Sequence, residues 1–228
     1  MSILPQIILN SIIAGAIYAL IALGSNFIYG ATKFFNMAHG ALAAVGGYAV
    51  FFLINTLGWN LYLSILMGVL CAGAVGYGLD KIIFLPLRKK KATNMVFLVA
   101  SLGAFTVIQA VISILFGTQF YTLTHASPQI YNLFGGAITH IQLAIVIASI
   151  VITSLLIFII NNTLFGKTVK AISDDEEVAR VVGIHTDKMI GYIFFIGSAV
   201  AGLGGILVGL DVGIQPTMGL SLLLKGII

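Results

Sequence analysis

Charge is what this sequence has least of. Asp, Glu, Lys and Arg make up 8% of its 228 residues, against 60% hydrophobic residues. So few charges cannot build the polar shell of a water-soluble domain, which excludes that class and leaves a polytopic helical membrane protein. Cysteine is nearly absent. Cys71 stands alone inside an apolar run, so there is no disulfide framework and the thiol is expected to serve packing. No Lys or Arg precedes Lys33, so the first apolar segment lacks the charged start of a cleavable signal and is read as a retained span.

Catalytic and cofactor patterns are missing as well. No His, Cys and carboxylate cluster has metal-ligand spacing, and no cofactor is expected. Phe165-Gly166-Lys167-Thr168 imitates the end of a P-loop. The motif requires glycine where Asn161 stands, however, and a full apolar span precedes it instead of a short strand. Ser198 beside Gly197, with His39 and His140, lacks any spacing that would pair nucleophile and base. Ser198 with Gly202 fits a packing face of small residues instead. The chain is therefore read as no enzyme. Its net charge of +4 follows membrane sidedness and is no nucleic-acid signal.

What the sequence does have is long apolar runs. Segments 7–30, 36–56, 61–85, 94–116, 140–160 and 189–210 can each cross a hydrocarbon core, which takes about 20 helical residues. A further hydrophobic segment starts near Met218 with only 11 residues of chain remaining, too few to span. The expected fold class is all-α: a polytopic transmembrane helix bundle of about six complete spans plus the start of a seventh segment, one domain over 1–228.

Lys33, the group Lys81, Arg88, Lys89, Lys90 and Lys91, and the group Lys167, Lys170, Arg180 and Lys188 all fall on connections of one sidedness. They hold 10 of the 11 basic residues, whereas connections 57–60, 117–139 and 211–217 hold none. Basic loops stay in the cytoplasm, so the N-terminus is expected outside. Small residues recur at four-residue spacing, as in Ala201, Gly205 and Gly209, in Ala72 with Gly76, and in Ala74 with Gly78. Such stripes let helices approach closely in lipid, and a tightly packed bundle is the favoured reading. The outer segment 117–139, with Pro128 and the aromatics Phe120, Tyr121, Tyr131 and Phe134, suggests a folded interfacial cap.

The exception to the apolar rule is 161–188, which gathers nine of the 18 charged residues. Ser173 is placed as a helix N-cap, with Glu176 completing a capping box and Asp174 to Glu177 in the first turn. Val178, Val181, Val182 and Ile184 then form one apolar face, and Gly183 ends the helix. A short amphipathic helix on the water side of a membrane bundle reads as a docking element. Asn36, His39 and Gly40 open the second span on one helix face. For His39, pairing with a neighbouring helix is favoured over substrate contact. Asp80 and Lys81 near the end of span three are read as snorkelling or paired.

Tyr18-Ala-Leu-Ile-Ala-Leu-Gly24, Tyr29-Gly30, Phe35-Asn-Met-Ala-His-Gly40 and Gly46-Gly-Tyr48 come in a recognisable order. They are followed by Asp80-Lys81 with Pro86-Leu-Arg88, then by Gly166, Lys170-Ala171, Asp174, Asp175, Ala179 and Gly183-Ile184-x-Thr186-Asp187. Gly213-x-x-Pro216, Gly219 and Lys225 close the series. Together they resemble the first permease subunit of the high-affinity branched-chain amino acid ABC importers, over essentially the whole chain. Glu177-Val-Ala179 and Gly183 match half of the general permease coupling pattern, and its Ile-x-Leu-Pro half is absent. Family members continue past Lys225, so a C-terminally truncated chain is expected.

The resemblance implies a multi-pass protein of a bacterial or archaeal cytoplasmic (inner) membrane. It implies a second permease subunit, two cytoplasmic ATP-binding subunits and an extracytoplasmic solute-binding protein as partners, in contact with lipid and not with nucleic acid. Gly166, Lys170, Asp174, Asp175, Glu176, Glu177, Ala179 and Gly183 would couple to the ATPases. Asn36, His39 and Gly40 would border the translocation path. Import of urea or short amides, an ATP-independent channel and a transport-inactive anchoring subunit are the alternatives.

Overall fold

The computed structural model describes residues 3–123, 129–133 and 135–227, and it is helical nearly throughout. Ten α-helices follow in order among the described residues: α1 (Ile3–Thr32), α2 (Ala38–Asn55), α3 (Leu61–Leu79), α4 (Leu85–Lys89), α5 (Asn94–Phe116), α6 (His140–Asn162), α7 (Leu164–Asp174), α8 (Glu176–Val181), α9 (Thr186–Asp211) and α10 (Met218–Ile227). Among the described residues six helical stretches are long and apolar enough to cross a membrane: α1, α2, α5, α6, α9, and α3 with its continuation to Lys89. In lipid the backbone must satisfy its own polar groups, so these apolar runs have no option but helix. The outward faces carry large apolar side chains such as Leu66, Ile114, Ile150 and Phe158, all exposed, as a lipid-facing surface requires.

The bundle is built around α9, which packs on α1, α2 and α3. Its small residues permit this. A Cβ on Gly205 would run into the backbone of Ala43, and one on Gly202 would meet Ala72 and Gly46. Gly76 of α3 lies against Ser198, and Gly24 of α1 against Gly197. Where helices share no hydrophobic drive toward each other, such backbone approach supplies the dispersion contact that holds them. The Ala74–Gly78 stripe does not take part: Ala74 is exposed and a Cβ on Gly78 would meet open space. Cys71, expected to pack, is likewise exposed on α3.

Two departures from regular helix shape the ends. Between α3 and α4 the chain makes a π-helical turn, Asp80–Phe84. Pro86, which has no N–H for the carbonyl four residues back, supplies a local cause. The turn buries Asp80, whose side chain has no solvent exposure, against Arg88 (Nη1 to Oδ1, 2.8 Å), with Lys81 Nζ 3.8 Å away on the other carboxylate oxygen. Lys81 also donates to the Asp187 carbonyl at the start of α9 (2.9 Å). Pairing, not snorkelling, therefore accounts for the Asp80 charge.

At the opposite end, β1 (Ile130–Leu133) and β2 (Gly136–Thr139) form an antiparallel hairpin that the all-α expectation did not include. Gln6 of α1 clamps it, accepting from Ala137 N (2.8 Å) and donating to Ala137 O (3.1 Å). Thr139 and Gln142 form a capping box that starts α6. Tyr121 bridges to Ile214 and its hydroxyl donates to the Phe116 carbonyl (2.7 Å). Of the expected cap, Phe120 and Tyr131 are exposed, while Pro128 and Phe134 lie outside the described residues.

Candidate functional site

The polar segment 161–188 folds as two helices, not one. Thr163 caps α7 by accepting from Gly166 N (3.1 Å), and Val169 and Ile172 turn its apolar side onto the bundle. The second cap is Asp175, not Ser173: with φ −154° and ψ 113° it leaves the helical region, and its Oδ1 accepts from Glu177 N (2.8 Å) and Val178 N (3.0 Å). Ser173 and Asp174 belong to the last turn of α7, so the expected Ser173–Glu176 capping box does not form. Glu176 instead pairs with Arg180 one turn on (2.8 Å), and Arg180 reaches Thr186 Oγ1 at 3.2 Å, tying α8 to the start of α9. Gly183, at φ +94°, takes the left-handed conformation that ends α8.

The predicted coupling residues divide by environment. Lys170, Asp174, Asp175 and Glu177 are exposed and Glu176 is half-buried. Lys170 Nζ donates to Asn161 Oδ1 (2.8 Å). Gly166 is buried, pressed on the backbone of Ile160, and Ala179 is 2% exposed and faces the bundle. Ala179 and Gly166 thus seat the helices and offer no surface to a partner. The expected apolar face is also divided: Ile184 packs inward, while Val178, Val181 and Val182 are 59%, 87% and 70% exposed. Three exposed valines beside a row of carboxylates, with a cleft of about 540 Å³ opening next to them at Arg180 and residues 183–188, form a surface with no partner among the described residues.

A second constellation lies inside. Asn36 precedes α2, so the shared helix face expected for Asn36, His39 and Gly40 is not formed. Asn36 Oδ1 instead accepts from Ala38 N (3.1 Å) and helps start the helix. Gly40 turns to α10, where its missing side chain admits the backbone of Gly219. Asn36 and His39 do converge, on a cavity of about 420 Å³ that Ser25, Asn26, Tyr29 and Gly226 also line. His39 is fully buried, and the pairing favoured for it is not made. Neither ring nitrogen has a hydrogen-bond partner among the described residues, the Ile21 carbonyl lying nearby without an aligned bond. The Asn36 amide nitrogen is equally unpartnered. Buried donors without partners are costly, and at a cavity wall they are groups available to a solute or to water.

Sequence reading passed over Asp211 altogether. It closes α9 at the hairpin end, far from the charged loop, and lines a further cavity with Lys225. Its isolation was the signal: it is the one acidic residue outside both 161–188 and the Asp80–Lys81 pair.

Among the described residues no group of His, Cys, Asp or Glu is placed to hold a metal ion. Residues 7–228 match the protein family described as the permease component of branched-chain amino acid transport systems. The chain is 29% identical to the high-affinity branched-chain amino acid transport system permease protein LivH of Escherichia coli K12, covering 94% of this chain and 73% of the relative. It is 25% identical to the corresponding protein BraD of Pseudomonas aeruginosa, over 94% and 74%. A probable branched-chain amino acid transport permease of Methanocaldococcus jannaschii is 26% identical over 94% and 69%. No solved structure matches.

Proposed function

The chain belongs to the branched-chain amino acid transport permease family, and from that premise we propose that it is the membrane-spanning subunit of an ATP-driven importer of branched-chain amino acids. It works beside a second permease subunit, two cytoplasmic ATP-binding subunits and an external solute-binding protein. The observation that carries this reading is the unpartnered surface of α8. A channel needs no lever, whereas three exposed valines, flanked by Asp175 and Glu177 and braced through Arg180 on α9, make one. A basic-rimmed apolar groove on an ATPase would complement it in both charge and apolarity. Because α9 touches α1 and α2, displacement of α8 reaches two of the helices that wall the Asn36–His39 chamber. That chamber is the inner part of the path. Rocking of the bundle between two packings then exposes it alternately to either side. The excess of basic residues on the connections at the α7–α8 end supports a cytoplasmic position for that end and an N-terminus outside.

The test uses Val181→Asp with Val182→Asp. Both side chains are exposed, so membrane insertion should be retained, while a charge pressed into an apolar groove should release the ATPase. The expected outcome is loss of ATPase co-purification and at least about a tenfold fall in ATP-dependent uptake of labelled leucine. Normal uptake by the double variant would falsify the lever. Ala179→Asp is unsuitable, because it would bury a charge within the chain itself.

A further inference from the structure

At the hairpin end of the bundle, α1, α6, α9 and α10 enclose a cavity of about 540 Å³, within the range that small-molecule sites occupy. One wall is aliphatic, with Ile13 and Ile17 of α1 and Leu222 of α10. Two residues of opposite sign line the same space: Asp211, half-buried and within reach of the Gln142 side chain, and Lys225, exposed. Neither makes an ion pair among the described residues, although they line the same space. Lys225 is held instead over the Tyr18 ring, 5.9 Å from its centroid. That contact steadies the cation and leaves its N–H donors free to meet a ligand.

In a partly desolvated cavity each charge gains from an opposite charge brought to it. A neutral solute relieves neither charge. A carboxylic acid or an amine relieves one. A zwitterion of the α-amino acid kind relieves both, with its ammonium at Asp211, its carboxylate at Lys225 and an aliphatic side chain against Ile13, Ile17 and Leu222. We infer that this cavity is a recognition site for aliphatic α-amino acids within the permease itself, reading both charged groups of the substrate before it passes to the Asn36–His39 chamber. The inference rests on the importer reading for its substrate class. Gly226, one residue beyond Lys225, lines the inner chamber, and a Cβ on it would press on Ile21 and Ala22 of α1 at 3.3–3.4 Å.

The test is equilibrium binding of labelled leucine to the complete protein in lipid nanodiscs. Two competitors each lack one charge: leucinamide, without the carboxylate, and 4-methylpentanoate, without the amine. On the unmodified protein both should compete at least about tenfold more weakly than leucine, since each leaves one of the two charges unrelieved. Asp211→Asn should weaken leucine by at least about tenfold and leave 4-methylpentanoate unchanged. Lys225→Gln should weaken leucine similarly and leave leucinamide unchanged. Analogues that compete as well as leucine, or absence of leucine binding, overturn the site on the unmodified protein without any variant. Unchanged leucine affinity in both variants overturns it too. ATP-dependent uptake by the complete assembly is measured in parallel to separate the two readings. Uptake without discriminating binding sinks this site and spares the importer, and zwitterion-selective binding without ATP-dependent uptake does the reverse.

Discussion

Asp80 and Arg88 show how one residue pair can set a local fold. Asp80 is fully buried and its guanidinium partner is 10% exposed, so neither charge has water to fall back on. Removing one partner strands the other: Asp80→Ala is expected to cost about 3–5 kcal/mol, read as a lower unfolding temperature in detergent. Replacing both with apolar residues, Asp80→Leu with Arg88→Met, should be far milder, because an ion pair exchanged for packing is often neutral. If the double variant is as unstable as the single one, the pair has a role beyond mutual neutralisation. His39 behaves in the opposite sense. With no partner for either ring nitrogen, His39→Leu removes an unmet desolvation cost of roughly 1–3 kcal/mol and should hold or raise the unfolding temperature. It should nonetheless reduce leucine uptake by about tenfold if the chamber is the path, since the polar wall is lost. A drop in stability would mean that the ring is structurally paired after all.

At the scale of the element, α9 carries the architecture, and its glycines decide how close its neighbours come. Gly205 has no room for even a methyl group against Ala43. Gly205→Ala should therefore push α2 away and destabilise the bundle by about 1–3 kcal/mol, whereas Gly78→Ala, facing open space, should be silent or slightly stabilising. Equal effects at the two positions would show that helix propensity, not close approach, is being measured. The α7–α8 pair illustrates a different limit. Ser173, Asp174 and Asp175 can all cap a helix, so local pattern does not choose among them. The choice fell on the residue at which the chain had to turn so that both Val169 of α7 and Ala179 of α8 could be buried.

For the molecule as a whole, the two ends differ in kind: one carries the charged helices and the basic connections, the other the hairpin and Asp211. That asymmetry supports the proposed orientation, which labelling tests. With Cys71 replaced, a cysteine at Asn132 should react with an impermeant thiol reagent on intact cells, and one at Glu177 should react only after permeabilisation. Both positions are exposed, so accessibility within the chain is not in question. Labelling of Glu177 on intact cells would invert the bundle and remove the cytoplasmic docking argument with it.

The six spans, the bias of basic residues to one set of connections and the solitary polar loop were all legible in the amino-acid order. Each is a sum over neighbouring residues, and lipid forces an apolar run to satisfy its hydrogen bonds locally. The tight glycine contacts were foreseen as a class but not as pairs: Ala72 and Gly202 turned out to meet, and Ala74 and Gly78 to meet nothing. Other features depended on which side each helix turns inward, and no local pattern holds that. Ala179 points into the bundle while Val181 points to water. Asn36 and His39 share a cavity although only His39 lies in a helix, and Asp211 at the end of α9 shares another with Lys225 in the last turn of α10. Helix rotation and depth are fixed by packing against neighbours distant in the chain, so these convergences exist only once α9 has gathered α1, α2 and α3 around it.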